Sequence, residues 1–284
     1  MFVLKKNEKR SVEVNTAEQE YNAADVIRTL PRRQKAIYDM VLEKGFVSIE
    51  GLSQHFSVTP QTIRRDINNL CSAKLLQRYH GGAGLLNSVE NFTYSTRKSL
   101  CSEEKIRVAK HVAQFIPNNA SLFLDIGTST EEVARALVDK TGLRVITNNL
   151  NVASTLGQNR GFEILVSGGV VRNHDLGITG EAAIDFISQF KVDFGIISVA
   201  GIDPDGTLID FDYNEVRIAR AIMSNSRQVF LVADHSKFNR SAMVRIGNLE
   251  EVDALFTDRT PPAKFLEIIK RGDVALHVAP SEKH

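Results

Sequence analysis

From Ser102 onward the chain carries a succession of short apolar segments separated by helical stretches, and this pattern restricts its fold more than any other feature. The segments are Ser121–Asp125, Leu143–Thr147, Phe162–Val166, Phe194–Val199, Gln228–Ala233, Val252–Thr257 and Val274–Val278. Helical stretches such as Thr130–Leu137, Glu181–Phe190 and Glu215–Ser224 lie between them. A strand that is apolar throughout is covered on both faces, and parallel strands need long, usually helical, crossovers. The expectation is an α/β domain over 102–280, built on a mostly parallel sheet covered on both sides.

The stretch before it has a different character. Residues 31–86 read as three short helices and a hairpin. Helix one is Arg32–Lys44, with Ile37, Met40 and Val41 on one face and Gly45 as its stop. Ser48 is the expected N-cap of helix two, Ile49–Phe56. Thr59 caps helix three, Gln61–Leu70, with Pro60 at its first position. Leu75–Tyr79 then reads as a strand broken by His80-Gly81-Gly82. Residues 87–101 form a polar linker, and 1–30, which mix charge with small polar residues, read as a mobile extension with room for a short helix around Tyr21–Leu30.

Helix three supplies the first chemistry. With Ile63, Ile67 and Leu70 turned inward, Gln61, Arg64, Arg65 and Asn68 cluster on the exposed side. Arg bonds guanine edges and Gln or Asn bonds adenine, and the start of the second helix of a helix-turn-helix enters the major groove. Thr59, Thr62 and the free N–H groups of the first turn suit a phosphate. Arg78 and His80 place a wing on the DNA backbone or in the minor groove. Exposed polar faces are ordinary; the local charge tips the reading. Between Pro31 and Gly82 eight Lys/Arg face four Asp/Glu, although the whole chain is only +1. Such a basic segment supplies the salt-sensitive part of DNA affinity.

In an open parallel sheet, ligands bind beyond the carboxyl ends of the strands, and the glycines and small polar residues of this chain fall there. Strand one is followed by Asp125-Ile126-Gly127-Thr128-Ser129-Thr130, whose N–H groups and hydroxyls suit a phosphate at a helix start. Asn148 and Asn149 follow strand two. Gly168, Gly169 and Arg172 follow strand three, Asp203 follows strand four and Lys237 follows strand five. Lys237 is placed to neutralise a phosphate, and Asn149, Asp125 or Asp203 to accept from hydroxyls, with Glu215 on the same rim. Each residue alone is weak evidence, since Asp203-Pro204-Asp205-Gly206 also reads as a plain turn; the repetition at strand ends carries the reading.

Ser57-Val58-Thr59-Pro60-Gln61-Thr62-Ile63-Arg64-Arg65-Asp66, followed by Arg78-Tyr79-His80-Gly81-Gly82-Ala83, closely resembles the winged helix-turn-helix of DeoR-type bacterial repressors. Asp125-x-Gly127-Thr128, Thr147-Asn148, Gly168-Gly169 and Asp234-x-Ser236-Lys237 resemble the effector domain of the same family, over about Glu103 to Pro262. That domain is similar to sugar-phosphate isomerase folds. Thr147–Ala153, Gly180-Glu181-Ala182 with Asp185–Phe190, and Phe211–Arg217 are similar to the members that control glycerol catabolism. The resemblance implies double-stranded operator DNA as partner, glycerol 3-phosphate as inducer, and a homodimer or homotetramer.

Two alternatives stand beside it. One is a repressor of the same family answering to another sugar phosphate. The other is an aldose–ketose isomerase using Asp125, Glu181, Asp203 or Glu215 as base; the fused DNA-reading domain and the lack of HExxH, GxSxG or a Walker lysine speak against it. Cys71 and Cys101 form neither a CxxC pair nor a zinc pattern, so no cofactor or metal is expected. No stretch approaches the roughly 18 apolar residues of a membrane span. The early Lys5, Lys6, Lys9 and Arg10 do not make a signal peptide. A cytoplasmic location is the expectation.

Overall fold

The structure, a computed structural model, describes residues 26–44, 46–73, 75–79, 81–85 and 94–281. Most of the expected mobile extension, and His80, lie outside the described residues. Two compact units are present, the first ending at Phe92 and the second beginning at Thr93.

The first unit contains α1 (Arg32–Lys44), β1 (Phe46–Ser48), α2 (Ile49–Phe56), α3 (Pro60–Ser72), β2 (Leu76–Tyr79) and β3 (Gly82–Leu85). Its start and stop signals work as their chemistry dictates. The Ser48 hydroxyl accepts from Gly51 N at 3.0 Å. Ser57 takes the left-handed conformation that ends α2. Thr59 accepts from Thr62 N at 3.3 Å and Pro60 opens α3. Ile37, Val41, Leu52, Ile63, Ile67, Leu70 and Leu76 form the core. Residues 26–29 are helical, and Val26, Ile27 and Leu30 pack on that core, so the end of the presumed extension belongs to the unit.

Strand β1 was not expected. It pairs antiparallel with β3, turning the hairpin into a three-stranded sheet of order β1-β3-β2. The pairing explains Gly82, which lies opposite Ser48: a Cβ there meets Val47 O at 2.1 Å and the Phe46 ring at 2.4 Å. Backbone oxygen cannot rotate away, so Gly82→Ala is expected to destabilise this unit by about 1–3 kcal/mol, the usual cost of overpacking. Denaturant unfolding checks this; an unchanged midpoint contradicts it.

The second unit holds α4 (Tyr94–Ser99), α5 (Ser102–Phe115), β4 (Ser121–Leu124), α6 (Thr128–Leu137), β5 (Arg144–Thr147), α7 (Leu150–Leu156), β6 (Glu163–Val166), β7 (Val170–Val171), β8 (Ile178–Thr179), α8 (Glu181–Ile187), β9 (Val192–Ser198), β10 (Gly201–Ile202), β11 (Thr207–Asp210), α9 (Tyr213–Ser224), β12 (Ser226–Val232), β13 (Val244–Asn248), β14 (Ala254–Thr257), α10 (Ala263–Arg271) and β15 (Ala275–Val278). The expected strands are β4, β5, β6, β9, β12, β14 and β15. They form one fully parallel sheet of order β15-β14-β12-β9-β4-β5-β6.

Alternate residues feed two apolar layers. Leu122, Leu124, Ile196, Phe230 and Val232 pack with α5 to α7. Phe123, Ile197, Leu231 and Leu255 pack with α8 to α10. Burial on both faces is why these strands are apolar throughout. The fold is therefore α/β, with a helix-turn-helix unit ahead of it.

Two features escaped the sequence. Short strands β10, β11 and β13 form an antiparallel sheet, and β7 and β8 form a hairpin. The expected linker 87–101 is also corrected: Tyr94–Ser99 is helical, and Leu100 and Cys101 are buried.

The chain enters the sheet at β4, steps outward to β5 and β6, then returns to β9 on the other side of β4. Connections leave β4 and β9 in opposite directions, which opens a crevice at their carboxyl ends, the usual ligand position in such sheets.

Candidate functional site

On α3, Ile63, Ile67 and Leu70 are buried while Gln61, Arg64, Arg65 and Asn68 are exposed, as the helical period requires. Thr59 is exposed at the cap, and its hydroxyl lies 3.0 Å from that of Thr62. Arg78 on β2 donates from Nη1 to Asn68 Oδ1 at 2.8 Å, so two of the expected DNA residues meet and join the wing to α3.

Sequence reasoning missed the role of Asp66. It is 5% exposed and accepts from Arg33 Nε at 2.6 Å and Gln34 Nε2 at 3.1 Å, fastening α3 to α1. The signal was there: position 66 lies three residues after Ile63, on the buried face. A buried acid with two donors fixes the angle at which α3 presents its arginines.

In the second unit the loop after β4 reaches the end of β9. Gly127 has φ 148°, and a Cβ there meets Ser198 Oγ at 2.3 Å, so only glycine lets α6 begin this close to the crevice. The first N–H groups of α6 have no acceptor within the helix, and such groups are what a helix start offers an anion. The hydroxyls divide their roles. Thr130 Oγ1 donates to the Asp125 and Gly127 carbonyls at 2.7 and 2.8 Å, and Thr128 Oγ1 donates to Arg97 O at 3.4 Å. Ser129 is buried. Thr130 thus shapes the loop.

After β5, Asn149 caps α7, accepting from Asn151 N at 2.9 Å and donating to Glu131 at 3.4 Å. Asn148 is fully buried beside the Asp125 carboxyl, and its Oδ1 has no hydrogen-bond partner among the described residues. Glu215 binds Arg172, whose guanidinium also meets Asp175 and Asp212. Lys237 follows β12 in a 3-10 turn capped by Asp234. It is 8% exposed, and its ammonium has no hydrogen bond or ion pair within 4.0 Å among the described residues.

Other expected residues stand apart. Gly168 and Gly169 are exposed at the approach to β7, where Gly169 (φ 138°) lets the β7–β8 hairpin close against Thr179 O. Asp203 sits in the β10–β11 turn, accepting from Ser241 Oγ at 2.9 Å. No hydrogen bond ties these three to Asp125, Asn148 or Glu215; their geometry is that of turn makers, and the short antiparallel strands that need those turns went unread.

Residues from separate elements share the electrostatics of the crevice. Burial pushes Asp125 up to about 8, with Glu215 and Asp210 reinforcing it against hydrogen bonds from Ile126 N and Asn148. Burial and Asp210 push Glu215 up to about 7 against Arg172. Burial likewise raises Asp210, at the end of β11, against Lys237 and Arg97. Burial lowers Lys237 to about 8 against the pull of Asp234. Arg97 and Asp210 were missed because the first sat in a stretch read as linker and the second in the unanticipated sheet.

With both groups near 8, Asp125 is largely uncharged and Lys237 largely protonated at neutral pH, the latter opposite the ionised Asp234. Above pH 8 Lys237 loses its proton and Asp125 gains a charge, and both changes repel a phosphate. Inorganic phosphate affinity is expected to fall about tenfold per pH unit for each titrating group above pH 8. Calorimetric titration at several pH values checks this; an affinity flat from neutral into the alkaline range contradicts it.

Glu104, His235 and Asp258 bring possible metal-ligand atoms within 4.8 Å of one another. Asp258 is already matched by His235 Nδ1 at 2.9 Å and Arg259 Nε at 3.0 Å, which makes this a charge-paired knot.

A family profile described as "DeoR-like helix-turn-helix domain" matches residues 33–89, and one described as "DeoR C terminal sensor domain" matches 100–259. The glycerol-3-phosphate regulon repressor of Escherichia coli (strain K12) is 50% identical over 247 residues, 87% of this chain and 98% of that one. The HTH-type transcriptional repressor CsqR of the same strain is 40% identical over 252 residues, 89% of this chain and 96% of that one. Among solved structures, ribose 5-phosphate isomerase A from Methanocaldococcus jannaschii aligns with TM-score 0.36 and 13% identity, over 49% of this chain and 55% of that one.

Proposed function

Because the chain belongs to the DeoR family of transcriptional repressors, we propose that it represses genes of glycerol and glycerol 3-phosphate catabolism and is released from their operators by glycerol 3-phosphate. The observation that carries the effector half is the crevice between β4 and β9. There α6 starts at Gly127, close against Ser198 at the end of β9, and Lys237, a buried cation whose ammonium has no ion pair within 4.0 Å among the described residues, follows the neighbouring strand β12. A helix start and a lysine are what a phosphate monoester needs. Asp125 and Asn148, buried beside them, suit the hydroxyls of a short polyol. Relatives named as glycerol-3-phosphate regulon repressors support that ligand.

The DNA half rests on α3. Gln61, Arg64, Arg65 and Asn68 enter the major groove, with Thr59 and Thr62 at phosphate, and Arg78 on the wing braces Asn68. A homodimer or homotetramer sets two such units on neighbouring half-sites in the cytoplasm. No described helix is long and apolar enough to cross a membrane. The effector acts by binding the DNA-incompetent state more tightly, with a coupling of about 1–3 kcal/mol.

A second reading, a repressor answering to a different sugar phosphate, is favoured by the 40% identity to a repressor of another name. Release of operator duplex from the full chain, titrated with glycerol 3-phosphate, fructose 6-phosphate and glucosamine 6-phosphate, separates the two. Glycerol 3-phosphate acting at the lowest concentration supports the proposal, and a hexose phosphate acting there replaces it. The near-neutral carboxyls Asp125 and Glu215 also fit an isomerase base; turnover of any of these sugar phosphates by purified protein would establish that activity.

A further inference from the structure

The crevice has one wall that comes from an unexpected place. Helix α4 (Tyr94–Ser99) directly follows residues 86–93, and those follow the wing in sequence. It is pinned to the first turn of α6 at two points. The Tyr94 hydroxyl donates to Glu131 at 2.8 Å and accepts from Asn151 Nδ2 at 3.2 Å. The Arg97 carbonyl accepts from Thr128 Oγ1 at 3.4 Å and from Lys105 Nζ. Thr128 and Glu131 belong to the helix start assigned above to the effector phosphate.

The Arg97 side chain is only partly satisfied. It is 19% exposed, and its Nη2 lies 3.6 Å from Asp175 Oδ2. Its Nε is buried without a hydrogen-bond partner among the described residues. Its charge acts on Asp210, Glu215 and Lys237, so these groups lie within electrostatic reach of one another. A guanidinium with a loose ion pair and a bare N–H, beside the start of α6 and within electrostatic reach of Lys237, is suited to take a phosphate through two parallel bonds.

We propose that Arg97 is a ligand of the effector phosphate carried on the helix that follows the wing in sequence, so that α4 reports occupancy of the crevice to the DNA-reading unit. The inference rests on the effector reading above and extends it. A phosphate draws Arg97 from Asp175 and loads α4 against α6; an empty crevice leaves α4 held by Tyr94 and by the Arg97 carbonyl, with the guanidinium on Asp175. This gives the effector its different contacts in the two states, without which no ligand shifts an equilibrium.

The test uses the full chain, calorimetry with glycerol 3-phosphate and with inorganic phosphate, and anisotropy on operator duplex. Arg97→Gln is expected to weaken binding of both ligands about tenfold, the usual order for a charge-assisted pair. Tyr94→Phe is expected to bind ligand within about twofold of the parent, while the ligand-induced loss of operator affinity shrinks several-fold. Arg97→Gln binding both ligands like the parent overturns the assignment of Arg97. Tyr94→Phe with the parent's full response overturns the reporting role of α4. If Arg97→Gln fails to fold, Arg97→Lys replaces it, keeping the charge and losing the paired geometry, with an expected loss of about threefold. A parent that binds inorganic phosphate but not glycerol 3-phosphate refutes the named effector and leaves Arg97 testable with phosphate. A parent that binds neither sinks both.

Discussion

Lys237→Gln leaves operator recognition in place and removes most of the response to glycerol 3-phosphate. The ammonium is buried, has no ion pair within 4.0 Å among the described residues and feels Asp234 only at longer range, which leaves it open to the proposed phosphate. Exchanging it for an amide removes a charge-assisted contact of about 1.5–3 kcal/mol, a weakening of about 10- to 150-fold in effector affinity. Operator binding separates this from simple damage. Lys237 helps to compensate the buried Asp234 charge, which keeps Lys105 and its Ser236 hydrogen bonds in the variant, so the melting temperature is expected to fall without loss of operator binding. A variant that still responds at the parent's effector concentration removes Lys237 from the site.

Part of the candidate crevice is legible in the sequence, and the reasons are physical. Strands β4 and β12 are apolar throughout because both faces are covered, so their ends could be located and the residues just beyond them named. Thr59-Pro60 marks a helix start by a hydroxyl that accepts from the first turn and a ring that needs no N–H. Arg97 was hidden because Tyr94–Ser99 is six residues of polar sequence, held by Glu131, Asn151 and Thr128, which lie far along the chain. Asp210 was hidden because β10, β11 and β13 are two to five residues long and pair only through tertiary contacts. Gly169 and Asp203 were legible as turn residues; that the turns close hairpins was not. Asp66 illustrates the opposite case. Its position on the inner face of α3 was computable, but an acid there makes sense only once Arg33 and Gln34 are seen to reach it.

Arg65→Ala is expected to give the largest change on the DNA side. Arg65 is exposed near the start of α3, on the face that Asp66 holds in place through Arg33 and Gln34. A bidentate arginine–guanine contact carries about 1–3 kcal/mol of discrimination, so operator affinity should drop about 5- to 150-fold while affinity for unrelated duplex changes little. The specificity ratio is the deciding quantity. Equal losses on operator and unrelated DNA, with a shallower salt dependence, would make Arg65 a phosphate contact instead. Effector affinity serves as the control and should stay at the parent's value, because the ligand is placed wholly in the second unit.

The central claim joins a helix that reads bases to a crevice that senses a phosphate in one chain. It is tested most directly by titrating the full chain onto a glycerol-catabolic promoter duplex and a scrambled duplex of equal length, over a range of salt, with and without glycerol 3-phosphate. Affinity should fall steeply with salt on both duplexes, favour the promoter by about a thousandfold or more, and lose that preference when the effector is added. Equal affinity for the two duplexes at every salt concentration, or a promoter affinity unmoved by glycerol 3-phosphate, contradicts the account.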